Sequence, residues 1–326
     1  MRLALVILFA AGCGGREQIT QRTYEPGERH EVYVFSRKDQ FPEGATFDPN
    51  SRSFFAGSLA NGDITRITLD GAETTFATRS AATGESTLGM AVDAKNRRLW
   101  VCSLRDATSK AGVVTAFDID AGVPVYTAKL SELRENASCN DIAVDQLGAA
   151  FVTDRENAAI YRLVTSGESP TIWSSHPLLA PGTIGSNGIA ITSDGGTMLL
   201  TQYKPARLLR IAVADPTAVS TVDLHGDSFS AGISIASGAD GARLVDGALY
   251  VAFDRWVMRI VPDDPSWAKA TVTSRRLPAM EYGVTALTEA EGDLYAANGQ
   301  TAMFLLGLRP ALPFRLVRVD GALFEQ

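Results

Sequence analysis

Six segments of this chain open in the same way, at intervals close to fifty residues, and that rhythm limits the folds available to it. The opening positions are Glu43 in PEGATFD, Gly89 in LGMAVD, Asn140 in CNDIAVD, Asn187 in SNGIAITSD, Asp240 in ADGARLVDG and Gly283 in YGVTAL, spaced 46, 51, 47, 53 and 43 residues apart. Each segment leads through a turn rich in Gly, Asn or Asp into a short apolar strand. Leu99–Cys102, Ala149–Thr153, Met198–Leu200, Leu249–Ala252 and Leu294–Ala297 are entered this way. Helix-period patterning is nearly absent. A strand-rich repeat of this length corresponds to a unit of four strands, and such units protect their edges by stacking radially. The chain therefore reads as all-β, a six-bladed β-propeller of four-stranded blades. The early run Glu31–Phe35 and the late run Phe314–Val319 are the natural pair to close the ring. A β-sandwich would not generate six repeats of one period. Asp246 offers an alternative register for the fifth segment. Asp240 is preferred, because Asp246-Gly247 suits the hairpin turn before Ala248–Ala252.

Ahead of the repeats, Arg2 is followed by the apolar run Leu3–Ala11 and then Gly12-Cys13-Gly14-Gly15. Nine apolar residues fall short of the roughly 20 needed to cross a bilayer, but they suit a secretory signal. Ala10-Ala11-Gly12-Cys13 resembles the lipobox of bacterial lipoproteins, which implies lipidation at Cys13. The expected organisation is a signal peptide over 1–12, a lipid-anchored tether over 13–29 and the propeller over 30–326. Such a protein would sit in the cell envelope, held to the membrane by lipid alone, and is expected to be a monomer.

Composition narrows the chemistry. Thirty Lys and Arg against 37 Asp and Glu give a net charge of −7, which argues against nucleic acid as a partner. Three histidines are too few and scattered for an imidazole metal site, no C-x-x-C occurs, and no G-x-S-x-G elbow is present. His176 and His225 lie away from the six opening positions. Cys102 and Cys139 are expected as two unpaired buried thiols, since Cys102 falls within an apolar strand. Arg155, Arg207 and Arg255 are expected to be solvated surface charges.

The opening positions carry the remaining signal. In a propeller, the start of every innermost strand lies at one end of the central channel, so Glu43, Asn140, Asn187 and Asp240 should converge on the axis. Two carboxylates and two amide oxygens suit a hard cation such as Ca²⁺ or another divalent ion. Gly89 and Gly283 would leave blades two and six without a polar group there. The segments PEGATFD, NDIAVD, SNGIA and Asp240-Gly241 resemble the metal-site segments of the gluconolactonase/regucalcin family, and the Glu, Asn, Asn, Asp pattern is shared by diisopropylfluorophosphatase. The resemblance implies that Glu43, Asn187 and Asp240 hold a catalytic metal. It implies that Asn140 is a ligand or a substrate-contacting neighbour, and that Asp240 is the nucleophile or general base. The expected activity is calcium-dependent hydrolysis of a lactone or other ester. The alternative is a non-catalytic propeller lipoprotein that binds a ligand or partner protein and carries a structural metal.

Overall fold

The computed structural model describes residues 29–78, 86–105, 111–180, 182, 184–230, 238–277, 280 and 283–324. Cys13, the signal segment and all of the tether except Arg29 lie outside these residues. Antiparallel sheets form six blades. Blade one runs Pro42–Asp48, Ser53–Ser58, Ile64–Thr68 and Glu73–Ala77, and blade two Ser86–Asp93, Arg98–Leu104, Gly112–Asp118 and Val123–Lys129. Blade three comprises Ile142–Val144, Ala150–Thr153, Ile160–Leu163 and Thr171–Ser174, and blade four Ile184–Ile191, Thr197–Lys204, Arg207–Ala212 and Asp215–Thr221. Blade five, Ala239–Val245, Ala248–Phe253, Trp256–Pro262 and Lys269–Arg276, departs from the four-strand expectation, because Asp223–Gly226 adds a fifth, parallel edge strand.

Blade six closes the ring. Its inner strands Leu287–Ala290, Asp293–Ala297 and Arg315–Val319 come from the C-terminal region, and its outer strand Val32–Val34 from the N-terminal region. Val32 pairs with Val317 and Val34 with Arg315, as the two terminal runs suggested. Aromatic side chains fill the wedge between blades six and one, where Tyr33, Phe54 and Tyr295 meet at centroid distances of 4.8 to 5.6 Å. Among the described residues no helix is long and apolar enough to cross a membrane.

One local device repeats in every blade and sets the geometry of the axis. On each innermost strand two residues face a single residue of the second strand, which is a β-bulge. In blades one, two, four and five the pairs are Glu43-Gly44, Leu88-Gly89, Asn187-Gly188 and Asp240-Gly241, seen as register shifts in the ladders. In blade three, Asn140 donates its N–H to Thr153 O while Thr153 donates to Asp141 O. In blade six, Thr285 and Ala286 straddle Ala297 in the same manner. The fifth register is therefore settled on Asp240, with Asp246 in the following turn at φ 48°. Two expected positions are corrected. The true counterparts of Glu43 are Leu88 rather than Gly89, and Thr285 rather than Gly283.

Glycine at the second bulge position has a steric cause. A Cβ on Gly44 would stand 2.1 Å from Leu88 O, and one on Gly89 would stand 2.5 Å from Asn140 O. In blades one, two, four and five the bulge presses against the backbone of the next blade, and only a hydrogen fits. The close approach also overturns the expectation of free thiols. Cys102 lies opposite the Leu88-Gly89 bulge, and Cys139 immediately precedes the bulge of blade three. Their Cα atoms are 5.9 Å apart and the two are joined as a disulfide. Burial in a strand did not prevent pairing, because the bulge brings the neighbouring strand within bridging range.

Candidate functional site

The bulges bring the four oxygen-bearing residues together. Glu43, Asn140, Asn187 and Asp240 all line one cavity of about 300 Å³ on the channel axis, at the small end of the range for ligand sites. Three of them are nearly sealed: Glu43 is 9% exposed, and Asn140 and Asn187 are each 4% exposed. Asp240 is half-buried. The Asn187 side chain and the Gly241 N–H stand close enough to its carboxylate to favour the charged form, while the Gly241 N–H itself donates to Thr285 O at 3.0 Å. The amide oxygen of Asn187, Oδ1, is buried without a hydrogen-bond partner.

A third carboxylate, absent from the sequence expectations, completes the set. Asp141 occupies the second bulge position of blade three, where blades one, two, four and five carry glycine. Its Oδ1 accepts from Ile142 N at 2.8 Å, and its Oδ2 from Ile189 N in blade four at 3.3 Å. The side chain lies over the hydrogen face of Gly89, where a Cβ would come within 2.4 Å of Oδ1. The Asp141 carboxylate and the missing side chain on Gly89 are thus one arrangement.

Removal from water raises the pKa of all three acids. Burial drives Glu43 well above the usual carboxylate range, and the nearby charges of Asp240 and Asp141 push it further. Asp141 is raised to about 7 by burial, against the pull of the Ile142 and Ile189 amides and of Arg243. Asp240 is raised to about 8 by burial, opposed by the Asn187 side chain and reinforced by Asp141. Among the described residues none of the three forms an ion pair. Charges of one sign confined in a low-dielectric site favour either protonation or the arrival of a cation.

Cations stand at a distance. Arg155, expected on the surface, is close enough to lower the pKa of both Glu43 and Asp240. Arg243 lines the same cavity and faces the charges of Glu289 and Asp141, while burial lowers its own pKa. Nothing in its strand pattern marked it, because an Arg at a half-buried strand position usually points to solvent. Neither of the other two predicted arginines lines the cavity; Arg207 Nε is buried without a partner. His176 accepts from Leu178 N through Nδ1 and caps the turn Pro177–Leu179, while His225 is exposed beside Thr271. Neither lines the cavity, as expected.

The residues fit a divalent cation in donor chemistry. An orphaned amide oxygen, a second buried amide and uncompensated carboxylates are hard donors on one cavity wall. Among the described residues, no three His, Cys, Asp or Glu side chains are grouped tightly enough to hold a metal by themselves. Amides would have to supply part of the coordination.

Residues 41–264 match the model of the family described as SMP-30/Gluconolactonase/LRE-like region, whose members generally bind a divalent metal. No curated protein matches the chain. Among solved structures, the major allergen Mala s 1 of Malassezia sympodialis superposes with a TM-score of 0.73 at 16% identity, over 91% of this chain and 98% of the allergen. A gluconolactonase from Xanthomonas campestris gives 0.59 at 18% identity, over 87% and 88% of the two chains. Virginiamycin B lyase from Staphylococcus aureus gives 0.56 at 16%, over 81% and 80%. At these identities the likeness is one of fold.

Proposed function

The chain belongs to the SMP-30/gluconolactonase/LRE-like family, and on that premise we propose that it is a calcium-dependent hydrolase of a lactone or other ester. The observation that carries this reading is the set Glu43, Asn140, Asn187 and Asp240 on one small cavity, with Asn187 Oδ1 unpartnered and the carboxylates uncompensated. Glu43, Asn187 and Asp240 would hold the ion, with Asn140 a fourth ligand or a contact to substrate. All-oxygen donors favour Ca²⁺ over softer ions. When bound, the cation polarises the ester carbonyl and stabilises the negative charge that develops on its oxygen.

The chain's own residues do the rest. The backbone of Asp240 is tied by Thr201 Oγ1, which donates to Asp240 O at 3.0 Å, and by Gly241 N, which donates to Thr285 O, so its carboxylate is presented to the cavity. In the ionised form it can attack the carbonyl carbon or take a proton from an attacking water. Its pKa of about 8 in the bare protein falls once positive charge stands beside it, so the base is ionised at neutral pH. Arg155 adds long-range positive potential, which favours entry of an electron-rich ester and disfavours protonation of Glu43 and Asp240.

The same proposal places the protein in the cell envelope as a lipid-anchored monomer, through Cys13. The disulfide supports an oxidising compartment. Metal analysis of the purified protein, followed by a panel of lactones, carboxylic esters and phosphotriesters with and without chelator, tests the activity. Turnover that disappears with chelator and returns with Ca²⁺ is expected. Metal-loaded protein that turns over none of these, and for which chelation only lowers Tm, would make the site a structural one in a binding protein.

A further inference from the structure

Six structurally equivalent residues face the six bulges from the second strands: Gly57, Cys102, Thr153, Thr201, Ala252 and Ala297. Two of them do the same thing. Thr153 Oγ1 donates to Asn187 O at 2.8 Å, and Thr201 Oγ1 donates to Asp240 O at 3.0 Å. In each case the hydroxyl of one blade ties the backbone of the next blade at its axial oxygen-bearing residue. Cys102 occupies this position in blade two, and its bond to Cys139 ends one residue before Asn140. Asn140 O in turn accepts from Gly89 N at 2.8 Å, and Asn140 N donates to Thr153 O at 3.0 Å.

We propose that the Cys102–Cys139 disulfide is a positioning element of the functional site, fixing Asn140 on the axis as the Thr153 and Thr201 hydroxyls fix Asn187 and Asp240. The inference rests on the metal reading above for its effect on the ion, though not for its effect on the backbone. Three of the four axial oxygen-bearing residues are thereby tied to the preceding blade at one equivalent point. Asn140 is the one tied covalently. Asp141 follows directly, so the same bond restrains a channel carboxylate.

A bridge that served folding alone would act by restricting the unfolded chain, and the native protein would bind its ion equally well without it. That difference provides the test. Cys102→Ser/Cys139→Ser removes the bond at nearly constant volume. Cys102→Thr/Cys139→Ala replaces it with a hydroxyl of the kind blades three and four use. Two quantities are read: the Ca²⁺ dissociation constant by chelator competition, and amide hydrogen exchange in the metal-free protein. The serine variant is expected to bind Ca²⁺ at least about tenfold more weakly, the scale seen when groups supporting a metal ligand are removed. Its Gly89 amide should exchange about tenfold faster or more, while the equivalent Gly241 amide, bonded to Thr285 O, keeps its rate. The threonine variant should recover both. A dissociation constant within about twofold of the intact protein, with Gly89 exchange unchanged or accelerated equally with Gly241, overturns the proposal. If the serine variant does not fold, a threonine variant that folds yet leaves binding weak and Gly89 fast overturns it, and recovery of both supports it. Absence of Ca²⁺ binding by the intact protein would end the metal reading, and the exchange at Gly89 would still decide the positioning role.

Discussion

The two ends of the innermost strands use the same residue types in opposite ways. At the turn end of blade one, Asp48 is fully buried, yet it accepts from Asn50 N at 3.2 Å, Ser51 N at 3.0 Å and the Arg97 guanidinium at 2.8 Å. Burial alone would raise its pKa, but the bonds from Ser51, Arg97 and Asn50 outweigh it and hold the carboxyl below its ordinary value. Asp145 in blade three is likewise bonded to Leu147 N and Ala149 N. At the bulge end, Glu43 is buried and Asp141 and Asp240 are half-buried, with few donors and no ion pair among the described residues, and all three are raised. The turn-end acids stabilise the fold. The bulge-end acids work against it, a penalty that a bound cation would offset.

Substitutions at the two ends should separate these roles. The largest effect is expected for Asp240→Asn, which keeps an oxygen and removes the charge: ester or lactone turnover at saturating Ca²⁺ should fall about 10²–10⁴-fold. An unchanged kcat would remove Asp240 from the chemistry. Glu43→Gln should weaken Ca²⁺ binding by about tenfold or more, by analogy with other losses around a metal, and excess Ca²⁺ should restore most of the turnover. Failure of Ca²⁺ to restore it would assign Glu43 more than a ligand's role. At the other end, Asp48→Asn should cost about 1–3 kcal/mol of stability by denaturant titration, since it weakens charge-assisted bonds in a buried position. Turnover should remain within about twofold of the unmodified protein, because bulge and turn lie at opposite ends of the strand.

The smallest expected effect is a slope with pH, of opposite sign for the two ends. A carboxyl whose folded pKa is raised binds more protons folded than unfolded between about pH 4, the unfolded value, and its folded value. Asp141 and Asp240 have folded values of about 7 and 8. Metal-free protein should therefore lose stability as pH rises from about 4 to about 8, and saturating Ca²⁺ should flatten or reverse the trend. Asp48 is lowered, so its contribution is present above about pH 4 and is lost as the pH falls through its folded value. A metal-free Tm that rises steadily from pH 5 to pH 8 would show that the bulge-end acids carry no such penalty.

Much of this was legible in the sequence because turns and strand starts leave local marks. The fifty-residue period, the ring closure by Val32–Val34 and the four oxygen-bearing residues all came from residue type and spacing. What escaped was set by contacts between blades. The bulge is a two-residue unit, and where its first member is apolar, as in Leu88-Gly89, the glycine draws attention to the wrong position. In blade six, Thr285-Ala286 has no glycine, and the nearest one, Gly283, misled the register by two residues. Asp141 was hidden because its distinction is to stand where other blades carry glycine, a comparison that needs the true register. The disulfide joins positions 37 residues apart, and its proximity follows from the bulge, which no single strand announces.

Ring closure bears on the order in which the molecule can assemble. Arg318 N donates to Glu31 O, and their side chains also pair, across a separation of 287 residues. Contacts this distant in sequence bear a large loop-closure cost and slow the search for the native state. Until the strand Arg315–Val319 is available, Val32–Val34 has no partner in its own sheet, and the wedge around Tyr33, Phe54 and Tyr295 is open to water. The blades can form in succession as local antiparallel meanders, but the channel has six walls only after the last strand docks. Ring closure is thus deferred until Arg315–Val319 has been made, so until then a nascent chain of this kind remains an open arc that chaperones can hold and a protease can cut.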